Sequence, residues 1–304
     1  MSRAPSLSWG YHSLSTSTVA IVLSLVLFGA LGCSSGEETA DLSTLYDREA
    51  QYHGIERNPV ILIPGLIGSK LRHVPSDTTV WGAFTGEYAD PQTARGARLV
   101  GLPMRKRAPL SALRDSVHAD GALEEVRARV LGLPVALDAY IDILRSLGIG
   151  GYSDESGALR EVEYGPDHFT CFQFPYDWRR DNVENAQRLH EFIQEKRAYV
   201  QREYEKRFGV ENYDVEFDII AHSMGGLVTR YYLRYGTADL PADGTPPQLT
   251  WAGAEYVDQA VLVGTPNAGS AYSLKYLVEG RNFGQFAPTY PPALFGTMPS
   301  LYQV

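Results

Sequence analysis

Residues 214–230 read DVEFDIIAHSMGGLVTR, and the order of residue types in this stretch decides the architecture. Val215, Phe217, Ile219 and Ile220 make a branched, apolar run that suits a buried strand. Downstream, Leu227, Val228, Tyr231, Tyr232 and Leu233 recur at the spacing of one helix face. Between them lies Ala221-His222-Ser223-Met224-Gly225-Gly226. Small residues two positions either side of Ser223 let the chain bend sharply from strand into helix, which lifts the serine hydroxyl to the tip of the turn. A serine held there is a candidate nucleophile. The plainer alternative is a serine that only caps the helix.

Upstream, Val60-Ile61-Leu62-Ile63 is a continuous apolar run between Pro59 and Pro64, the pattern of a parallel strand covered on both faces. The Pro64-Gly65 turn then puts the backbone of Leu66 at the carboxyl edge of the sheet. A strand, a serine turn and a helix in this order form the nucleophile elbow of an α/β-hydrolase, in which Ala221 replaces the usual glycine. That fold takes one oxyanion-hole amide from the loop after such a strand and the other from the residue after the nucleophile, here Leu66 and Met224. Backbone amides carry this task, so both side chains are free to be apolar. The expected fold is α/β, a mostly parallel sheet with helices on both faces.

Further along, Phe169–Pro175 reads as a strand and runs into Tyr176-Asp177-Trp178-Arg179. Asp177 precedes the serine, whereas the acid of this fold follows it, so an ion pair fixing the loop is the better reading. Asp181 or Asn182 caps a long helix that buries Val183, Ala186, Leu189, Phe192, Ile193, Tyr199 and Val200 and stops at Phe208-Gly209. His190 lies among its charged positions and reads as solvated. Tyr256–Val263 is another strand, leading into Gly264-Thr265-Pro266-Asn267-Ala268-Gly269-Ser270. Arg72–Pro166 shows no continuous strand, and its clearest helix is Pro134–Leu147 with Gly148 as cap. An interval of about a hundred residues is too long for one crossover. Residues 72–128 are therefore expected to be an inserted cap, with Trp81 filling the cap's own small core. Phe283–Val304 shows no clear element.

The 304 residues are 44% hydrophobic and 21% charged, which permits one large domain carrying an insertion. A net charge of −9 argues against nucleic acid as a partner, since a phosphate-tracking surface needs a basic footprint. The one basic run, Arg105-Lys106-Arg107, reads as a solvated loop. Residues 1–32 look like a signal peptide whose uncharged core, Val19–Gly32, is too short to span a bilayer comfortably. It ends in Gly29-Ala30-Leu31-Gly32-Cys33, which resembles the lipobox of bacterial lipoproteins, so cleavage is expected before Cys33 and lipidation on its thiol. Residues 33–57 would then be a polar tether, residues 58–304 the α/β-hydrolase domain, and the bacterial cell envelope the location. Cys171 sits in an apolar run and reads as a packing residue, with no intrachain disulfide partner left.

Four pieces stand in order: PVILIPGLIGSKL at 59–71, FPYDWR at 174–179, IIAHSMGGLVTRYYL at 219–233 and GTPNAGS at 264–270. Together they resemble the lecithin:cholesterol acyltransferase family, whose relatives include lysosomal phospholipase A2 and phospholipid:diacylglycerol acyltransferases. Met298-Pro299-Ser300 adds to the likeness. The resemblance implies an α/β-hydrolase with a cap, Ser223 as acyl acceptor and oxyanion donors at Leu66 and Met224. It implies a glycerolipid or phospholipid acyl donor, an alcohol or water as acceptor, and no metal or organic cofactor. One departure is plain. The family's Asp and His follow the serine, yet all seven histidines here lie at or before residue 222. The catalytic Asp and His, and the last strands that would carry them, are expected to be absent from these residues. A non-catalytic lipoprotein that binds lipid or a partner is the alternative.

Overall fold

The computed structural model describes residues 50–83, 87–123, 125–130, 133–138, 140–157, 168–241, 243–283 and 288–304. The expected signal segment, Cys33 and most of the tether lie outside the described residues. In chain order the strands are Val60–Ile63 (β1), Ser69–His73 (β2), Thr78–Trp81 (β3), Val117–Ala122 (β4), Glu125–Val130 (β5), Leu133–Asp138 (β6), Cys171–Gln173 (β7), Phe217–His222 (β8), Val257–Val263 (β9), Arg281–Asn282 (β10) and Thr289–Tyr290 (β11). The α-helices are Ala94–Val100 (α1), Ile141–Ile149 (α2), Asn182–Phe208 (α3), Met224–Tyr235 (α4), Ala271–Glu279 (α5) and Pro292–Phe295 (α6).

The sheet that carries the candidate site is wholly parallel, in the order β7-β1-β8-β9. The chain is an α/β protein of the α/β-hydrolase kind. All four residues of β1 are buried, because alternate side chains enter different cores. Ile61 and Ile63 join Phe172, Phe217, Ile219, Ala186, Leu189, Ile193, Met224 and Val228 on the face covered by α3 and α4. Leu62 and Cys171 meet Tyr140 and Leu144 on the other face. Cys171 is thus a packing thiol, and burial holds its pKa well above the ordinary range. Both ends of α3 follow local chemistry. Asp181 accepts from the Val183 amide at 3.0 Å, and Gly209 takes a φ of +67° past the last turn. The outer strand, β9, leaves Val261, Leu262 and Val263 exposed, as α5 does Tyr272, Leu274 and Val278.

Between β1 and β7 the structure departs from the sequence-based expectation. Residues 72–166 contain strands after all: β2 pairs antiparallel with β3 and β4, and β5 with β6. Residues 134–138 of the expected helix belong to β6, and the helix proper runs over Ile141–Ile149. A short apolar run fits either period, and here Glu125–Val130 supplies the antiparallel partner that settles it. Gly148 lies inside α2, whose cap is Gly150. Trp81 does not fill a private core. Its ring meets Trp178, Phe283 and Tyr290 edge-on at centroid distances of 5.5, 4.9 and 5.5 Å. His190 is half-buried, not solvated, with Nδ1 3.3 Å from the Tyr232 hydroxyl. Residues 288–304 contain short elements and bury Tyr290, Phe295, Met298 and Leu301.

Candidate active site

Ser223 occupies φ +51°, ψ −123° between β8 and α4. A non-glycine residue in such a region costs on the order of 1–3 kcal/mol and persists only where its surroundings impose it. Here they do. β8 runs in register with β9 as far as His222 opposite Val263, and the Ser223 amide continues that ladder by donating to the Val263 carbonyl at 2.8 Å. The helix starts in the next residue, and the Gly226 amide donates to the Ser223 carbonyl at 3.0 Å. Ser223 remains half-buried at the carboxyl edge of the sheet.

The turn after β1 packs directly on this elbow. A Cβ built on Gly65 would lie 2.8 Å from Ser223 Cβ and 3.1 Å from His222 Nδ1, so no side chain fits there. Leu66 follows Gly65, and Met224 is the first residue of α4. Among the described residues neither the Leu66 nor the Met224 amide donates a hydrogen bond, so both remain available to an incoming acceptor.

Two tyrosines hold the Pro64–Gly65 peptide unit. Tyr176 donates its hydroxyl proton to the Pro64 carbonyl at 2.8 Å, and the Gly65 amide donates to the Tyr140 hydroxyl at 2.7 Å. The Tyr140 hydroxyl also lies 2.8 Å from His222 Nδ1. A phenol oxygen can accept twice, so the direction of this bond follows the tautomer: with the Tyr140 proton directed at Nδ1, neutral His222 carries its own proton on Nε2. Burial lowers the His222 pKa and favours that neutral form. Neither ring nitrogen then offers Ser223 a free lone pair.

Behind the turn, the loop after β7 forms a buried ionic knot. Arg179 uses all five of its N–H donors. Nε and Nη2 form a fork on Asp177 at 2.9 and 2.7 Å, Nη2 also reaches Asp115 at 2.9 Å, and Nη1 donates to the Leu99 and Val100 carbonyls at 3.0 Å each. The same loop is tied to residues 64–69 through Ser69, which accepts from the Tyr176 amide at Oγ (3.1 Å) and from Trp178 Nε1 at its carbonyl (3.2 Å). Ser300 of the Met-Pro-Ser stretch donates to the Trp178 carbonyl, which accounts for the serine there.

The remaining acids are elsewhere. Asp258 stands at the amino end of β9, hydrogen-bonded by Asn58 at 2.9 Å, while Ser223 follows the carboxyl end of β8. Asp239 and Asp243 accept from the amides of their own loop. Among the described residues, Ser223 Oγ makes no hydrogen bond and no cluster of His, Cys, Asp or Glu is arranged to hold a metal ion. Sequence reasoning overlooked Tyr140 and the role of Tyr176. Tyr176 lies inside the recognised PYDWR stretch and could have been singled out, whereas no local signal marks Tyr140.

The lecithin:cholesterol acyltransferase family profile matches residues 133–290, just over half of the 304-residue chain. The chain belongs to the lecithin:cholesterol acyltransferase family. The matched span takes in the loop after β7, the elbow, β9 and the GTPNAGS turn. Among solved structures, a chain of the Tle4–Tli4 complex aligns with a TM-score of 0.45 and 18% identity, over 78% of this chain and 51% of that one. This chain therefore spans about half the length of that relative. The search of curated proteins gave no match.

Proposed function

We propose that this chain supplies the nucleophile and oxyanion hole of a lipid acyltransferase or lipase acting on glycerolipid or phospholipid esters. The observation that carries the reading is the strained Ser223 at the elbow, inside the family match and packed against Gly65. Ser223 Oγ attacks the ester carbonyl and forms a C–O bond, while its proton passes to a general base, a carboxylate-oriented imidazole in this fold, which the described residues do not place beside Ser223. The carbonyl oxygen becomes an oxyanion held by the Leu66 and Met224 amides. The bond to the leaving alcohol then breaks as that alcohol takes the proton, leaving acyl-Ser223, which an alcohol or water resolves. His222, engaged by Tyr140, is not the base of this scheme.

The test is exposure of the full chain to a fluorophosphonate, followed by peptide mapping. Displacement of fluoride by Ser223 Oγ would leave a phosphonyl adduct on the peptide that contains Ser223. Absence of an adduct there, under conditions that label a control serine hydrolase, would sink the reading. It would favour the alternative, a lipid- or partner-binding lipoprotein, which the unbonded Ser223 hydroxyl already supports. The proposal also places a lipid anchor on Cys33, on the strength of the Gly29–Cys33 pattern, in the envelope of a bacterium. Labelled palmitate should enter the wild-type chain and not Cys33→Ser; equal incorporation would remove the anchor from the account.

A further inference from the structure

We propose that Tyr140 is a positioning residue of this site, whose phenol locks the oxyanion turn to the nucleophile elbow. The inference deepens the acyl-transfer reading and rests on it. Three observations bear on it. First, Tyr140 and Tyr176 grip opposite polar ends of one peptide unit, the Gly65 N–H and the Pro64 C=O. A peptide plane held at both ends cannot rotate, so only the two Gly65 dihedrals remain between it and the next amide, that of Leu66. Second, the same phenol reaches His222, the residue before Ser223, so one oxygen joins the two segments that must meet at the oxyanion. Third, Tyr140 lies 82 residues from His222 in sequence and is the N-cap of α2, whose Leu144 packs under β1. The phenol is thus anchored from the opposite face of the sheet to the one that α4 covers.

The assignment fixes the direction of each bond. Gly65 donates to Tyr140, and Tyr140 donates to His222 Nδ1. A phenylalanine at 140 keeps the ring and its packing but leaves the buried Gly65 amide unpaired and frees the His222 ring. The turn then samples orientations in which the Leu66 amide points away from Ser223. Substrate recognition is untouched, because the hydroxyl is spent on the protein and not on a ligand.

The test compares full-length wild type with Tyr140→Phe by saturation kinetics of fluorophosphonate labelling at Ser223. The limiting labelling rate should fall about tenfold with the half-saturating probe concentration unchanged, the pattern expected when positioning is lost and binding is kept. A purely structural role would lower the melting temperature and leave the limiting rate of the folded fraction alone; that result overturns the proposal while the Ser223 reading stands. If the wild type itself takes no label, the acyl-transfer reading fails, and the role given to Tyr140 fails with it. Imidazole nitrogen NMR of the wild type needs no variant to fold. It should report His222 as the Nε2–H tautomer with a hydrogen-bonded Nδ1, and an Nδ1 that makes no hydrogen bond overturns the clamp.

Discussion

Arg179→Met is expected to destabilise the chain by about 3–5 kcal/mol, the usual result of stripping one partner from a buried ion pair. The guanidinium is fully buried and Asp177 is 1% exposed, so water cannot replace what is removed. The substitution leaves the Asp177 carboxylate without the Nε and Nη2 fork, and the Leu99 and Val100 carbonyls without the Nη1 donor. Methionine fills much of the volume, so the loss reports charge and hydrogen bonding instead of a cavity. Arg179→Lys should recover only part of the stability, because an ammonium has three donors and cannot form the planar fork. Thermal melting at neutral pH decides the matter. A drop of roughly 10 °C or more is expected for methionine. A melting point within a degree or two of wild type would mean that the knot is not a stabilising element. Since the same loop carries Tyr176 and Trp178, labelling of Ser223 should fall along with stability, even though Arg179 touches neither Ser223 nor Leu66.

The parts of this architecture that could be read from sequence are those fixed by neighbours in the chain. The run Val60–Ile63 announces a strand covered on both faces, and Ile61 and Leu62 do enter different cores. Asp181 and Gly209 mark the ends of α3 because capping needs only the residue and the adjacent amides. Ser223, with small residues flanking it at the right spacing, is legible for the same reason. What stayed hidden depends on distance. β2, β3 and β4 are short, and the ladder slips between Leu71 and Arg72, so no clean alternation betrays them. The segment PVALD fits a helix until its partner, Glu125–Val130, is known. Arg179 was expected to pair with Asp177 two residues away. Its bonds to Asp115 and to the Leu99 and Val100 carbonyls span 64 to 80 positions and leave no mark on the local pattern. Tyr140 is the extreme case, an aromatic residue before an apolar helix whose hydroxyl alone distinguishes it.

Gly225→Ala should depress the labelling rate of Ser223 by about a hundredfold, the order of loss that a 1 Å misplacement of catalytic groups produces. A Cβ on Gly225 would fall 2.5 Å from the Pro64 carbonyl oxygen and 2.7 Å from that of Ile63. Both are backbone atoms. The Pro64 oxygen is also the acceptor of the Tyr176 hydroxyl, so it cannot retreat without breaking that bond. The strain must therefore move either the elbow or the oxyanion turn, and each movement separates Ser223 from Leu66. The adjacent glycine provides the contrast. A Cβ on Gly226 would meet Thr265 Oγ1 at 1.9 Å, a closer clash, but the atom belongs to a side chain whose hydroxyl has no hydrogen-bond partner and can rotate away. Two threonine carbons at 2.9 Å still require an adjustment of the turn after β9, at some expense in stability. Gly226→Ala should consequently lose melting temperature and keep most of its labelling rate, whereas Gly225→Ala loses rate out of proportion to stability. Equal effects at the two positions would show that the turn after β1 is not what Gly225 protects. In that case the contact between Gly65 and Ser223 would be a consequence of close packing, without bearing on the chemistry.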